Sequence, residues 1–175
     1  GADLNWMRRM ADYSRAETLA DAAKLAEMLR VIATCPKPTI ARVQGDVYAG
    51  GMGLVACCDI AVAADTAGFC VSEVKIGLIP ATISPYLIRA MGARAAQRYF
   101  LTAERFDAAE ALRVGLVHQV VGINDLEATV DAIAGALAVA SPDAVRTCKR
   151  LIEDVTGQPI TPELIAMTVD GIADI

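Results

Sequence analysis

The chain concentrates glycine in one short segment: four of its 13 glycines lie within residues 45–53. The β-branched run Thr39–Val43 precedes this segment and predicts a buried strand, and the small residues that follow predict a helix over 51–57. A glycine-rich turn between a strand and a helix leaves backbone N–H groups accessible, and such groups can hold a phosphate or stabilise an oxyanion. The glycine patterns typical of phosphate loops, GxxxxGKS/T and GxGxxG, do not occur. An oxyanion site and tight helix–strand packing therefore remain the two interpretations.

An oxyanion site needs a group that moves a proton, and Glu73 is the candidate. It is a lone carboxylate at the end of the apolar segment Phe69–Val74. Because apolar surroundings disfavour the charged form of a carboxyl group, we expect its pKa to be raised and suited to general acid–base catalysis. A solvated glutamate at the end of a strand is the alternative.

Strand and helix signals alternate along the rest of the chain. Further strands are predicted over Asp59–Ala64, Gly68–Val71 and Leu116–Val121. Helices are predicted over 15–34, from Asp107 to near Gly115, and from an Asn124–Glu127 capping box to about Ala140. Three more helices are predicted to begin at a capping Ser84 followed by Pro85, at Ser141 and at Thr161. This order predicts an α/β fold. We divide it into an α/β core over residues 1–122 and a helical C-terminal region over residues 123–175.

Charge and hydropathy argue against two classes of partner. The 16 basic and 21 acidic residues give a net charge of −5, which argues against general nucleic-acid binding. The longest apolar run, residues 53–64, is interrupted by Asp59 and is shorter than the ~18 residues that a membrane span needs. We therefore expect no nucleic-acid partner, no membrane partner and a cytoplasmic location.

The five cysteines show no metal-binding spacing, and the single histidine, His118, lies in an apolar run. Cys57 and Cys58 are adjacent and point in different directions, so a shared metal is disfavoured. Reduced core thiols and a structural or surface histidine are favoured over a metal site or a catalytic Cys–His pair.

The order of these motifs resembles the crotonase family, also called the enoyl-CoA hydratase/isomerase family. The matching segments follow one another through the whole chain: Gly1–Leu4, Pro38–Ala41 with Val43–Gly45, Ala49–Leu54, Cys58–Ala61, Ser72–Val74, Gly77–Pro80, Leu101–Ala103, Phe106–Ala108 and Ala111–Val117. Each segment is weak alone, and together they are specific. Four segments look most like bacterial members grouped with methylglutaconyl-CoA hydratases: Cys57–Asp59, Phe69–Cys70, Ser72–Val74 and Ile83–Tyr86.

The resemblance implies a spiral of ββα units with a helical C-terminal region, assembled as a homotrimer or hexamer. It places the backbone N–H groups of Ala2 and Gly50 in an oxyanion hole that holds the thioester carbonyl of an acyl-CoA, and it makes Glu73 the catalytic glutamate. The further substrate-binding positions that it implies are Asp3, Leu4, Gly51, Gly53 and Pro80. It implies no metal and no cofactor other than the coenzyme A that arrives as part of the substrate.

Two departures from the family pattern bear on function. Hydratases carry a second glutamate three residues after the oxyanion glycine, where this chain has Gly53. A side chain at that position, one helical turn beyond Gly50, is expected to project toward the same thioester. The oxyanion alanine stands at residue 2, which predicts a chain that is truncated at both ends.

With Glu73 as the single glutamate of the pattern, three activities stay open. Hydration of an enoyl-CoA is favoured, with a branched or glutaconyl-type acyl group. Isomerisation of an enoyl-CoA by one proton-shuttling glutamate is the first alternative, and acyl-CoA binding without turnover is the second.

Overall fold

The structure, a computed structural model, describes residues 3–173 and, at Leu4, the backbone alone. These residues form two compact units. The first contains the chain up to residue 35 together with residues 39–131, and the second contains residues 36–38 and the chain from residue 132 onward. The domain boundary that the sequence predicts at residue 122 stays a prediction.

Strands and helices alternate through the first unit, and helices alone follow. In chain order the elements are α1 (Leu4–Met10), α2 (Arg15–Ala33), β1 (Ile40–Val43), β2 (Val47–Tyr48), α3 (Gly50–Cys57), β3 (Ile60–Ala64), β4 (Gly68–Cys70), a 3₁₀ turn (Glu73–Ile76), α4 (Ser84–Thr102), β5 (Phe106–Asp107), α5 (Ala108–Arg113), β6 (Gln119–Val121), a second 3₁₀ turn (Ile123–Asp125), α6 (Leu126–Ala138), α7 (Pro142–Val155) and α8 (Pro162–Ala173).

The strands form two three-stranded sheets that the chain visits alternately. One sheet has the order β1-β3-β6 and is parallel, and the other has the order β2-β4-β5, in which β2 and β4 are parallel and β5 is antiparallel. Successive strands therefore go to different sheets before a helix follows, as in β1-β2-α3 and β3-β4-α4. This is an α/β fold of ββα units followed by helices, which confirms the predicted fold class.

The core of the first unit lies around α3, α4 and the strands between them. Four of the five residues of β3 are buried, since this strand has a neighbour on each side and apolar residues on both faces. The largest fully buried side chains include Phe69, Leu29, Met52, Ile83 and Leu87. This packing fixes the ends of β2 and β4, which carry the candidate site.

Most predicted elements are confirmed, and the differences have local causes. β2 and β5 have two residues each, which is too short for a period-2 pattern. The predicted strand from Leu116 begins only at Gln119, because the N–H groups of Leu116 and Val117 both donate to the carbonyl of Ala111 and close the end of α5. Gly115 permits this reversal with a φ of 85°.

Two predicted helix caps take other roles in the structure. Ser84 is the first residue of α4 rather than its cap, and its hydroxyl donates to the carbonyl of Ala81 at 2.9 Å. Asn124 lies inside the 3₁₀ turn that precedes α6, so it does not form the predicted capping box. In contrast, Ser141 caps α7 as predicted, with its hydroxyl accepting from the N–H of Ala144 at 3.5 Å.

The described helices all lie within residues 3–173. No single helix in this range is long and apolar enough to cross a membrane, although the bent pair Ile123–Ala138 and Pro142–Val155 has the length and composition of a span when the two helices are taken together.

Candidate active site

The pairing of β2 with β4 brings the two main candidates to one edge of a sheet. Tyr48 lies opposite Cys70 in this parallel pair, and the N–H of Ala49 continues the pairing by donating to the carbonyl of Cys70 at 3.0 Å. Parallel strands release the chain at the same edge. Gly50 is the second residue after β2 and Glu73 is the third residue after β4, so both emerge at this edge of the sheet.

Gly50 is the first residue of α3, and its N–H belongs to the free amino-terminal end of that helix. Within residues 3–173 this N–H has no hydrogen-bond acceptor. A Cβ built on Gly50 would meet no atom within 4 Å, and the residue does not have a positive φ. Neither backbone conformation nor internal packing therefore requires glycine here, and the open space in front of the residue suits close approach by an external group.

Glu73 opens the 3₁₀ turn after β4 and is half-buried. Its Oε2 atom is buried and has no hydrogen-bond partner among the residues that the structure describes. Burial raises the pKa of the Glu73 carboxyl above its usual range, as the sequence predicts. A carboxyl group whose pKa is raised by burial is suited to general acid–base catalysis, because it holds a proton more readily than an exposed carboxyl group does.

The turn that carries Glu73 is closed by its own backbone. The N–H groups of Gly77 and Leu78 approach the carbonyl of Glu73, with the Leu78 bond at 3.1 Å. Gly77 has a φ of 75°, a conformation that side-chain-bearing residues rarely adopt. This closure holds the start of the turn at the edge where α3 begins.

Position 53 has different surroundings from those expected. Gly53 is buried in α3, and a Cβ built on it would lie 2.3 Å from Cγ2 and 2.8 Å from Cβ of Ile83, with Leu29 at 3.5 Å. A side chain here would therefore point into the packed contact between α3, α4 and α2. A carboxylate at position 53 would have to displace Ile83.

Comparison with known proteins decides the family. The family model described as enoyl-CoA hydratase/isomerase matches residues 1–167. The chain belongs to the enoyl-CoA hydratase/isomerase family.

Named members of this family are similar to the chain in sequence and in fold. The chain is similar to the enoyl-CoA hydratase ACTT6 of Alternaria alternata, with 39% identity over 73% of this chain and 43% of that protein. It is similar to the crotonyl-CoA hydratase of Syntrophomonas wolfei, with 35% identity over 85% of this chain and 56% of that protein. A crystal structure of an enoyl-CoA hydratase from Shewanella pealeana matches with a TM-score of 0.94 and 46% identity over 99% of this chain and 65% of that one. The chain thus spans less than two thirds of the length of these relatives.

The family pattern also assigns the residues at the start of the chain. Ala2, the second predicted oxyanion donor, lies outside the described residues. Asp3 caps α1, and its carboxylate accepts from the N–H groups of Asn5 at 2.8 Å and Trp6 at 3.4 Å. Leu4 is the first residue of α1. Substrate binding by Asp3 and Leu4 stays a prediction.

Two further family positions, Gly51 and Pro80, are buried. Gly51 is the second residue of α3, next to Gly50. Pro80 precedes α4, and its carbonyl accepts from the N–H of Ser84 at 2.9 Å. Their contacts with substrate, like those of Gly53, stay predictions.

His118 has a structural role in this member of the family. The N–H of Ala61 donates to its Nδ1 at 3.0 Å, and the N–H of His118 donates to the carbonyl of Ala61 at 2.8 Å. These bonds tie the start of β3 to the segment before β6. Over residues 3–173, no group of three His, Cys, Asp or Glu side chains is arranged to hold a metal ion.

Sequence reasoning missed a network of ion pairs near β5. It lines a groove of ≈ 390 Å³ formed by Arg98, Tyr99, Glu104, Arg105, Phe106, Asp107 and Glu110. Arg105 donates to Asp46 at 2.8 Å and packs on Gly68, where a Cβ would lie 2.0 Å from the guanidinium. Glu110 accepts from Arg113 and Tyr99, and these bonds lower the pKa of Glu110 to about 2. Asp46 is therefore engaged in an ion pair rather than free for proton transfer.

Sequence reasoning also missed Ala49. It has a φ of 47° and a ψ of −121°, a region that is open essentially to glycine and costs another residue about 1–3 kcal/mol. No local signal marks an alanine for this conformation. The constraint comes from its bond to Cys70 on one side and from α3 on the other.

Proposed function

We propose that the protein carrying this chain hydrates an enoyl-CoA. One observation carries the proposal: a backbone N–H without an acceptor among residues 3–173, at Gly50, and a buried carboxyl, Glu73, emerge at the same edge of the β2–β4 pair. The first group can hold the thioester oxygen and the second can move the proton. The family to which the chain belongs supports this assignment.

The proposed reaction adds water across the C2=C3 double bond. Gly50 N–H donates to the thioester carbonyl, and the Glu73 carboxylate removes a proton from water as its oxygen bonds to C3. The electron pair of the double bond moves toward C2 and the carbonyl oxygen, which gives an enolate. Glu73 then returns the proton to C2. A single oxyanion donor is worth about 3 kcal/mol of transition-state stabilisation.

The other substrate contacts belong to the same proposal. Ala2 N–H is the second oxyanion donor, and Asp3, Leu4, Gly51, Gly53 and Pro80 contact the acyl-CoA. No metal or redox cofactor takes part in the proposed reaction, because coenzyme A enters with the substrate and the addition of water requires no electron acceptor or donor.

Isomerisation of an enoyl-CoA is the alternative that a specific observation favours. Ile83 occupies the space into which a second carboxylate at position 53 would extend. A single carboxylate is sufficient to carry a proton between C4 and C2, whereas hydration asks Glu73 to serve both water and C2. The products separate these reactions, since only hydration consumes the double bond.

We propose a branched or glutaconyl-type acyl group as the substrate. The resemblance of four segments to bacterial methylglutaconyl-CoA hydratases supports it. Exposed apolar side chains follow Glu73, and Ile76, Leu78 and Ile79 offer surface to an acyl chain. The comparison of kcat/KM for crotonyl-CoA, 3-methylcrotonyl-CoA and 3-methylglutaconyl-CoA tests this choice.

The decisive experiment follows the loss of enoyl-thioester absorbance with the full protein. We expect Glu73→Gln to abolish turnover and to leave acyl-CoA binding within a few-fold, because the amide keeps the shape but accepts no proton. Gly50→Ala should fold normally, since its Cβ meets nothing, yet lose at least about tenfold in kcat/KM by obstructing the thioester. Gly45→Ala is the matched control, because its Cβ is equally unobstructed and it lies in the turn before β2.

The outcomes separate the three candidate activities. Activity retained in Glu73→Gln removes this residue from the mechanism. A shifted double bond without hydration indicates the isomerase, and binding without either reaction indicates an acyl-CoA-binding protein.

A homotrimer or hexamer in the cytoplasm completes the proposal. Large apolar side chains are exposed on the helices of the second unit, including Ile152, Ile165, Val169 and Ile172, as is common at subunit interfaces. Light scattering measures the assembly. The five cysteines are all free thiols, the state that a reducing compartment maintains.

A further inference from the structure

Ala49 is one of the two residues whose dihedral angles set the direction of the Gly50 N–H. That N–H belongs to the peptide unit between the two residues, so the ψ of Ala49 determines where it points. In a helix this ψ would be about −42°. The observed value is −121°, which turns the peptide by about 80° from the helical orientation.

Hydrogen bonds hold the backbone of Ala49 on both sides. Its N–H donates to the carbonyl of Cys70 at 3.0 Å, which ties it to β4. Its carbonyl accepts from the N–H of Met52 at 2.9 Å, which ties it to the first turn of α3. With both ends fixed, the strained dihedral angles of Ala49 join the strand to the helix.

The placement of alanine and glycine in this turn is the reverse of what backbone conformation requires. Ala49 has the positive φ that favours glycine, whereas Gly50 does not. The hydrogen bonds on both sides hold Ala49 in this conformation, and its Cβ excludes most of the neighbouring dihedral angles that glycine could also sample. Alanine at position 49 therefore keeps the peptide in one orientation.

We propose that Ala49 is a positioning residue whose strained backbone aims the Gly50 N–H at the oxygen of the thioester. The inference rests on the proposed function, because it takes Gly50 as an oxyanion donor. On this proposal, Ala49 stabilises the charged transition state and has little effect on the binding of the substrate in its ground state.

The test compares Ala49→Gly with the unmodified full protein. Glycine accepts a φ of 47° without strain, so the melting temperature should be unchanged or higher. The wider freedom of the peptide should lower kcat about tenfold and leave KM within about twofold.

A second readout reports the oxyanion site without turnover. A 3-oxoacyl-CoA ionises to an enolate that is followed by its near-ultraviolet absorbance, and an aimed N–H donor lowers the apparent pKa of that bound ligand. We expect Ala49→Gly to raise this pKa relative to the unmodified protein. A purely structural role for Ala49 would leave it unchanged.

Ala103→Gly is the matched control. Ala103 is the other non-glycine residue with a positive φ in residues 3–173, at 48°, and it ends α4. Its replacement also relieves a positive φ, here in the milder left-handed helical region with a ψ of 31°, and it leaves the turn before Gly50 unchanged in sequence, so kcat and ligand ionisation should not change.

Each remaining outcome overturns the assignment in a distinct way. If Ala49→Gly matches the unmodified protein in kcat and in the pKa of the bound ligand, Ala49 does not aim the donor and the proposed function stands. The same conclusion follows if Ala49→Gly and Ala103→Gly lose kcat to the same extent. Failure of Ala49→Gly to fold also overturns it, because the proposal requires glycine to be accepted there. If the unmodified protein neither turns over enoyl-CoA nor ionises the 3-oxoacyl ligand, the proposed function fails and the role of Ala49 fails with it.

Discussion

Gly50 and Glu73 contribute to the proposed chemistry through opposite properties. Gly50 offers a backbone donor with no side chain in front of it, and Glu73 offers a carboxyl group that the fold holds away from water. The burial of Glu73 has a cost, because its buried Oε2 has no hydrogen-bond partner in the described part of the chain. Strained or poorly satisfied groups of this kind are typical of functional sites.

The raised pKa of Glu73 predicts how the stability of the protein depends on pH. When a carboxyl group has a higher pKa in the folded state than in the unfolded state, the unfolded state ionises first as pH rises. The free energy of unfolding then falls as pH rises from the ordinary carboxyl range through the raised pKa. Glu73→Gln removes this penalty, so its melting temperature relative to the unmodified protein should increase from pH 4 to pH 8.

Glu104→Gln is the control of opposite sign. The hydrogen bond from Arg98 lowers the pKa of Glu104, so its contribution to stability is present at neutral pH and is lost in acid. Its replacement should lower the melting temperature at pH 8 more than at pH 4. A parallel response of the two variants would show that Glu73 is not a desolvated carboxyl group.

At the scale of elements, the packing of α3 against the start of α4 depends on the absence of a side chain at Gly53. Gly53 lets Ile83 approach so closely that no Cβ fits between them. Ile83, the residue before α4, is itself buried, with 1% of its surface exposed, so neighbouring residues enclose its side chain. The glycine at position 53 is therefore required by packing, unlike the glycine at position 50.

This contact predicts that Gly53→Ala destabilises the protein by about 1–3 kcal/mol, the usual cost of overpacking a core. Chemical denaturation measures the free energy of unfolding. In an Ile83→Ala background the cost should be smaller, because the Cγ2 atom at 2.3 Å is gone.

Gly135→Ala provides a matched control on an exposed helix. A Cβ there meets nothing within 4 Å, so the change should stabilise α6 by about 0.5–1 kcal/mol. If Gly53→Ala lowers the free energy of unfolding equally in the unmodified protein and in the Ile83→Ala variant, the contact between Gly53 and Ile83 is contradicted.

At the scale of the whole molecule, the cysteines report which parts of the chain are closed to solvent. Cys57 and Cys70 are buried in the first unit, and Cys148 is exposed on α7 of the second. Burial raises the pKa of the Cys57 thiol to about 12, and it also raises the pKa of Cys70, whose Sγ donates to the carbonyl of Ala103.

Because the thiolate is the reactive form, we expect Cys148 to react with an alkylating reagent in the folded protein while Cys57 and Cys70 do not. The two buried thiols should react only as denaturant opens the first unit. Mass spectrometry of labelled peptides measures each site separately. Labelling of Cys57 at the rate of Cys148 without denaturant would contradict the described core.

Local sequence was sufficient to predict the elements that local rules govern. The helix of α2 ends before Pro36–Pro38 because proline cannot continue it, and the strand of β1 follows from its β-branched residues. The raised pKa of Glu73 was also predictable, since its apolar neighbours lie beside it in the chain. The order of short motifs was enough to indicate the family and its fold.

The tertiary structure alone decided what depends on atoms from distant segments. Ile83, thirty residues further along the chain, occupies the space in front of Gly53. Arg105 engages Asp46, and the bond to Cys70 helps to hold Ala49 in its strained conformation. A sequence pattern gives the spacing of residues along one element, whereas clashes, ion pairs and backbone strain arise only when separate elements pack together.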